Sequence, residues 1–305
     1  MTIDIHADDY ALTKNTSAEI LDCMKAGRLD SISIVANTGC FDECMEMLYS
    51  AVPTLPFLPN MSVHINLVEG QSLTDSGFGP YLKFSWGKLF LYSYMQPFCG
   101  SIFTGLKKET ASQIESCMCA INKCIEIAKL NNVRYDQKCL RIDSHQHTHH
   151  LPIVWKAIKT VIEENKYEIE YIRCSREPLG VFLSEPGLYA GYRPVNAVKN
   201  IILALYSGKI DRYCTRHGLN KMYLWGLLMS GKMDHSRVER LRGAMEKKAH
   251  DAGRDLEILF HPGTALKEEI NEEIDPAAAE EFYLSENRAL EKDAVLRFQN
   301  QVCRE

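Results

Sequence analysis

RIDSHQHTHH, at residues 141–150, is the stretch that decides the fold. It brings four of the chain's ten histidines into six residues, directly after an apolar segment at 138–142 that is typical of a β-strand. Imidazole is the commonest protein ligand for a metal ion, and α/β enzymes keep their chemistry just past the carboxyl ends of strands. The stretch therefore predicts a functional strand end in an α/β protein.

Two other segments, far away in the chain, have the same form. Residues 3–9 read IDIHADD and residues 256–262 read LEILFHP, so each apolar run ends in carboxylates or an imidazole. Ligands of parallel sheets bind outside the carboxyl ends of the strands. We expect one site that is assembled from several strand ends.

The order of predicted elements favours a parallel sheet. Strands are predicted at about 2–6, 31–36 and 61–68, with helices at about 15–26 and 41–51 between them. This β-α-β-α-β order is typical of sheets whose functional face lies at the carboxyl ends of the strands.

Two segments interrupt this order. Residues 69–105 are rich in Gly, Pro, Ser and aromatic residues, which favours either a functional lid or a locally packed surface loop. Residues 177–220 are irregular. We predict a single barrel-like α/β domain over residues 1–305, with insertions at about 69–105 and 177–220 and a final helix at about 277–296.

The composition is ordinary for a globular protein: 305 residues, 46% hydrophobic, 25% charged and a net charge of −5. Basic residues are not clustered along the sequence, so we expect no nucleic-acid partner. No apolar run reaches the roughly 18 residues of a membrane span, and the N-terminus lacks signal-peptide features. With eleven cysteines and no export signal, we expect a cytoplasmic protein with free thiols.

Asp8, Asp9 and His64 are candidate site residues. Adjacent carboxylates at a strand end suit a division of labour in which one binds a cation and the other takes a proton. A turn or helix cap is the alternative for the two aspartates. His64 lies in a strand-like run as a core histidine or a ligand, and Asn66 would share its face and add a polar partner.

The histidine run offers more ligands than one ion needs. If the run is extended, His145, His147 and His149 share one side. We expect one of them to be a metal ligand and one or two others to lie behind it or near a substrate. His261 stands at another strand end, before a Pro-Gly turn, and is a candidate general acid or base.

Four motifs together resemble the YdjC-like (ChbG-type) carbohydrate deacetylases. They are ADDY at 7–10, VHINL at 63–67, DSHQHTH at 143–149 and HPG at 261–263. They occur in the family's order and span almost the whole chain. One departure is Tyr10-Ala11, where the family usually has Phe-Gly.

The resemblance implies an irregular (β/α) barrel related to the polysaccharide deacetylases. It also implies a divalent cation held by Asp9, His64 and His145, with Asp8 as the general base and His261 as the general acid. The family is usually described with magnesium, whereas two imidazoles and one carboxylate also suit zinc, cobalt, manganese or iron.

The implied function is removal of N-acetyl groups from amino sugars of short oligosaccharides. Tyr81 and Trp86 of the aromatic segment are expected to stack on sugar rings. A metal-dependent phosphoesterase or amidohydrolase barrel is an alternative suggested by the His-x-His-x-His run, and a sugar-binding protein with a decayed site is another. A homodimer is compatible with the sequence.

Overall fold

Seven parallel strands form one sheet in the computed structural model, which describes residues 1–95, 100–192 and 194–298. The order across the sheet is β5-β4-β3-β2-β1-β7-β6, and every pairing is parallel. The strands are β1 (Ile3–Tyr10), β2 (Ser31–Ile34), β3 (Asn60–Ile65), β4 (Leu140–Ser144), β5 (Ile169–Ile172), β6 (Met222–Trp225) and β7 (Asp255–Phe260).

The sheet curls until its two edge strands approach each other. The backbone N–H of Leu224 in β6 donates to the carbonyl oxygen of Arg176, just past β5, at 3.1 Å. The interior strand β1 is buried from Asp4 to Tyr10, as expected for a strand covered on both faces. The prediction of an irregular (β/α) barrel is confirmed.

Helices surround the sheet and follow the strands along the chain. They are α1 (Lys14–Lys25), α2 (Phe41–Ala51), α3 (Trp86–Tyr94), α4 (Gly100–Leu130), α5 (Pro152–Asn165), α6 (Pro194–His217), α7 (His235–Asp251), the single turn α8 (Pro276–Ala278) and α9 (Asn287–Arg297). Their apolar faces and the sheet enclose one large core. None of the described helices is long and apolar enough to cross a membrane.

The 69–105 segment, predicted as a functional lid or a locally packed surface loop, contains the helix α3. Ser85 caps this helix by accepting from the backbone N–H of Lys88 at 3.2 Å, and the rings of Trp86 and Phe90 stack one turn apart, 5.7 Å between centroids. The 69–105 segment belongs to the β3–β4 connection and the 177–220 segment to the β5–β6 connection. That both are insertions stays a prediction.

The prediction of a single final helix at 277–296 was wrong, because the chain is not α-helical throughout this range. A π-helical turn, Ala279–Tyr283, follows α8, and the chain becomes helical again only at α9. The carbonyl oxygen of Tyr283 accepts from the backbone N–H of Ala265 at 2.8 Å, which fixes this turn to the chain beyond β7. The break matters because it directs Tyr283 and Arg288 towards the strand ends.

Candidate active site

Five predicted site residues meet in one cavity of about 310 Å³ at the carboxyl ends of the strands. Asp8 and Asp9 come from the end of β1, His64 from β3, and His145 and His261 from the residues directly after β4 and β7. All except His261 are buried. Residues from distant strand ends therefore line one common cavity.

A backbone irregularity lets both aspartates reach the cavity. Successive side chains of a regular strand point to opposite faces. In β1 the register shifts between Ala7 and Tyr10, and Asp9 has a φ of 71°. The bulge turns the carboxylate of Asp9 to the side on which Asp8 already lies.

Asp9, His64 and His145 present three ligand atoms to a common point. Oδ1 of Asp9 lies 3.1 Å from Nδ1 of His145 and 3.7 Å from Nε2 of His64, and the three atoms lie within 4.8 Å of one another. One carboxylate oxygen and two imidazole nitrogens form a donor set used for divalent metals at catalytic sites. The three side chains fit the predicted metal site.

Polar groups behind the two imidazoles hold their orientation. Nδ1 of His64 lies 2.7 Å from Oδ1 of Asp143, and because a carboxylate only accepts, Nδ1 donates and Nε2 is left to face Asp9. Nε2 of His145 lies 2.9 Å from the hydroxyl of Tyr283 and from Oε1 of Glu69. Such outer partners are typical of metal-ligating histidines.

Neighbouring groups hold Asp9 and His145 in their charged forms. Burial alone would raise the pKa of Asp9, but Arg288 and His145 hold it well below its usual range. Burial alone would lower the pKa of His145, but hydrogen bonds to Asp9 and Glu69 raise it to about 10. A metal ion held by His145 would release the proton of this imidazole on binding, because a ligating nitrogen must be unprotonated.

Asp8 stands beside the three ligand atoms and is held by Arg173. Nη1 and Nη2 of Arg173 donate to the two carboxylate oxygens of Asp8, each at 2.8 Å. Oδ2 of Asp8 lies 4.0 Å from Nε2 of His64 and 4.0 Å from Nε2 of His261. Burial alone would raise the pKa of Asp8, but Arg173 and then His64 hold it well below its usual range.

His6, Asp8 and Asp143 form a second group with ligand-like spacing in the described part of the chain. Nη2 of Arg173 lies 2.8 Å from Asp8 and 3.2 Å from Asp143, and it also contacts Glu257 at 2.6 Å. The guanidinium already supplies the positive charge that these buried carboxylates need. We therefore interpret this second group as an internal ion cluster that supports Asp8.

The histidine run is not extended, so His145, His147 and His149 do not share one side. His145–His150 is a 3₁₀ segment in which Gln146 and His147 have φ values of 51° and 58°. The turn leaves His145 and His147 at the cavity and directs His149 and His150 away from it. His149 contacts the carbonyl oxygen of Arg173 at 2.9 Å, and burial lowers its pKa to about 4, so it is a neutral structural group.

His261 lies at the cavity wall with 22% of its side chain exposed. Its backbone N–H donates to Oε2 of Glu291 at 2.6 Å. Gly263 follows with a φ of 99°, and a Cβ there would lie 2.7 Å from the carbonyl oxygen of Thr16. Only glycine fits this close approach, which fixes the direction of the turn behind His261.

Comparison with known proteins agrees with this arrangement of motifs. A family model described as "YdjC-like protein" matches residues 2–122 and 134–301. The chain belongs to the YdjC-like family. Ala11 stands where the family usually has glycine. Its φ is 68°, a conformation that glycine adopts more easily than alanine.

This YdjC-like protein also resembles a solved structure from Enterococcus faecalis V583 that is named "putative cellobiose-phosphate cleavage protein". The two chains are 17% identical, with a TM-score of 0.58 over 97% of this chain and 90% of the other. At this identity the likeness shows the shared fold alone. No curated protein matches the sequence.

The expected sugar-stacking residues of the YdjC-like protein are not at its site. Tyr81 lines a separate surface cleft, and neither Tyr81 nor Trp86 lines the cavity around Asp9. The cavity wall instead includes Phe282 and Tyr283, and Phe282 is 36% exposed. Trp86 is the first residue of α3 and packs against the core, away from this cavity. That Tyr81 and Trp86 stack on sugar rings stays a prediction.

Several residues that complete the site were missed in the sequence. They are Glu69, Asp143, Arg173, Tyr283 and Arg288, which contact the predicted residues directly. Arg173 had a signal, because it directly follows the short strand β5. Tyr283 and Arg288 had none, since their positions depend on the break before α9.

Proposed function

We propose that this protein is a metal-dependent carbohydrate deacetylase that removes N-acetyl groups from amino sugars of short oligosaccharides. The observation that carries the proposal is the meeting of Asp9, His64 and His145 within 4.8 Å, beside the ionised Asp8. A divalent cation held by these three side chains would polarise the acetamide carbonyl and activate water.

Asp8 is the proposed general base. Its low pKa keeps it without a proton at neutral pH, and its two hydrogen bonds to Arg173 fix the plane of the carboxylate. As the oxygen of water attacks the acetamide carbon, a proton of that water passes to Asp8. Arg173 balances the negative charge until that proton arrives.

His261 is the proposed general acid. Its Nε2 lies 4.0 Å from Asp8, across the same cavity. As the C–N bond breaks, the amine nitrogen takes a proton from His261, and the products are acetate and the free amino sugar. The partial exposure of His261 lets its imidazole be reprotonated from solvent.

Two arguments about the identity of the metal ion lead to different metals. The family resemblance suggests magnesium, whereas a ligand set with two imidazoles favours zinc, manganese, cobalt or iron. Elemental analysis of protein that was purified without a histidine tag distinguishes them. The phosphoesterase alternative is weakened because only His145 of the His-x-His-x-His run belongs to the three-ligand group.

Acetate release tests the function. Protein stripped with EDTA is assayed with mono-, di- and trisaccharides of N-acetylglucosamine, with each divalent metal added in turn. We expect release that depends on added metal. No release under any of these conditions would refute the proposal, and turnover of p-nitrophenyl phosphate instead would support the phosphoesterase.

A further inference from the structure

A second cleft, of about 570 Å³, lies between α5 and α6 and shares no residue with the catalytic cavity. Five cationic side chains and one carboxylate line it. They are Lys156, Lys159 and Glu163 from α5 and Lys209, Arg212 and Arg216 from α6. The whole chain carries a net charge of −5, whereas the side chains that line this cleft are mostly positive.

The cations lie on the facing sides of the two helices. The lining positions are 156, 159, 160 and 163 on α5, and 209, 212, 213 and 216 on α6. Both sets follow the i, i+3, i+4, i+7 spacing of one helix face. Like charges at this spacing repel, so the arrangement costs the folded protein stability rather than adding to it.

The cationic side chains of α6 differ from Lys159 of α5 in their carboxylate partners. Glu163 lies 3.9 Å from Lys159, but in residues 1–95, 100–192 and 194–298 no carboxylate forms an ion pair with Lys209, Arg212 or Arg216. The nearby Arg254 differs, since it binds Asp211 at 2.6 Å. The cationic groups of α6 are thus available to a ligand.

An aromatic wall closes one side of the cleft. The ring of Tyr213 meets the ring of Trp155 edge-on at 5.3 Å and stacks on His217 at 4.1 Å. Trp155 is buried, so this wall is anchored in the core. A fixed wall and a volume of this size are typical of sites for small molecules.

We propose that the cleft between α5 and α6 binds a small polyanion that carries phosphate groups. Arginine pairs with phosphate through two parallel hydrogen bonds, and lysine adds point charges around it. The cleft is open to solvent on one side, and its volume of about 570 Å³ suits a molecule of nucleotide size. This inference does not depend on the proposed deacetylase activity.

Calorimetric titration of the full chain with pyrophosphate and with ATP, in EDTA, tests the site. EDTA prevents a divalent ion at the catalytic cavity from recruiting phosphate. We expect saturable binding that the pair R212E and R216E weakens about tenfold or more. The milder pair R212Q and R216Q repeats the test if charge reversal impairs folding, which circular dichroism checks.

The control pair K247E and K248E makes the same charge change on exposed residues of α7 that line neither cavity. It should leave binding unchanged. If both pairs weaken binding equally, the loss of affinity reflects the overall charge of the protein, and the proposal is overturned. It is also overturned if no saturable binding occurs, or if K199A in the catalytic cavity abolishes binding while R212E with R216E does not.

Phospholipid headgroups also carry phosphate, so a vesicle flotation assay is the second part of the test. Vesicles of equal parts phosphatidylcholine and phosphatidylglycerol are mixed with the protein. We expect no flotation of the protein with them. Flotation that requires Arg212 and Arg216, without binding of pyrophosphate or ATP, would overturn the small-molecule proposal.

Discussion

The guanidinium of Arg173 and the carboxylate of Asp8 are joined by two hydrogen bonds, each 2.8 Å long. Arg173 directly follows the edge strand β5, whereas Asp8 belongs to β1, an interior strand four positions away in the sheet. The curl of the sheet therefore brings Arg173 to Asp8, and the guanidinium keeps the proposed base ionised. A buried carboxylate without this partner would tend to hold a proton.

Asp8→Asn should lower kcat for acetate release by about 10²–10⁴-fold, because the amide cannot accept a proton from water. Metal content should stay near that of the wild type, since Asp8 is not one of the three proposed ligands. Elemental analysis and the acetate assay measure the two effects separately.

Asp4→Asn is the matched control for Asp8→Asn. Asp4 is a buried carboxylate at the other end of β1, where it accepts from the hydroxyl of Ser31 at 2.5 Å. We expect this variant to lose stability but to keep its turnover per folded molecule. Full activity of Asp8→Asn would disprove the role of Asp8 as the base.

Asp143→Asn should weaken metal binding by about 10–100-fold, because Asp143 orients the imidazole of His64 from behind. A competition titration with a metal-sensitive dye measures the affinity. Glu257→Gln is the control, since Glu257 contacts Arg173 in the same buried cluster without contacting His64. Equal losses in the two variants would show that the cluster acts through folding alone.

The sequence predicted the parts of the site that local patterns encode. Asp8, Asp9 and His261 each follow a recognisable apolar strand, and parallel strands bring such positions to one edge of the sheet. His64 was less certain, because a histidine within an apolar strand is as compatible with a core as with a site. Pairing with its neighbours in the sheet decides between the two.

The parts that sequence patterns missed depend on tertiary contacts. The histidine run looks extended locally, but positive φ angles at Gln146 and His147 turn it. The final helix looks continuous, but the contact between Tyr283 and Ala265 interrupts it. Neither event has a signal in hydrophobic periodicity, which is why Tyr283 and Arg288 were not predicted as site residues.

Phe282→Ala should raise KM for a disaccharide several-fold and change kcat little, if the partly exposed ring at the cavity wall stacks on a sugar. The effect on a monosaccharide should be smaller, because it offers one ring. Trp86→Ala is the control, since Trp86 lies outside the cavity. Steady-state kinetics on both substrates check this, and a larger effect of Trp86→Ala would contradict it.

Asp211→Asn should lower the free energy of unfolding at neutral pH by ~1–3 kcal/mol, because it breaks a partly buried charged hydrogen bond. Asp211 accepts from Nη1 and Nη2 of Arg254 at 3.0 and 2.6 Å, which joins α6 to the start of β7. Burial alone would raise the pKa of Asp211, but Arg254 lowers it below its ordinary value of 3.8. The stabilisation is therefore complete above the ordinary pKa and is lost as the pH falls through the folded-state value.

Urea denaturation at several pH values measures this dependence. The stability difference between wild type and Asp211→Asn should be largest near neutral pH and should shrink in acid, where the wild-type carboxyl is protonated too. Asp293→Asn is the control, because its ion pair with Arg297 is exposed and should contribute less than ~1 kcal/mol. A difference for Asp211→Asn that grows as the pH falls would contradict the depressed pKa, because the sign of the linkage would be reversed.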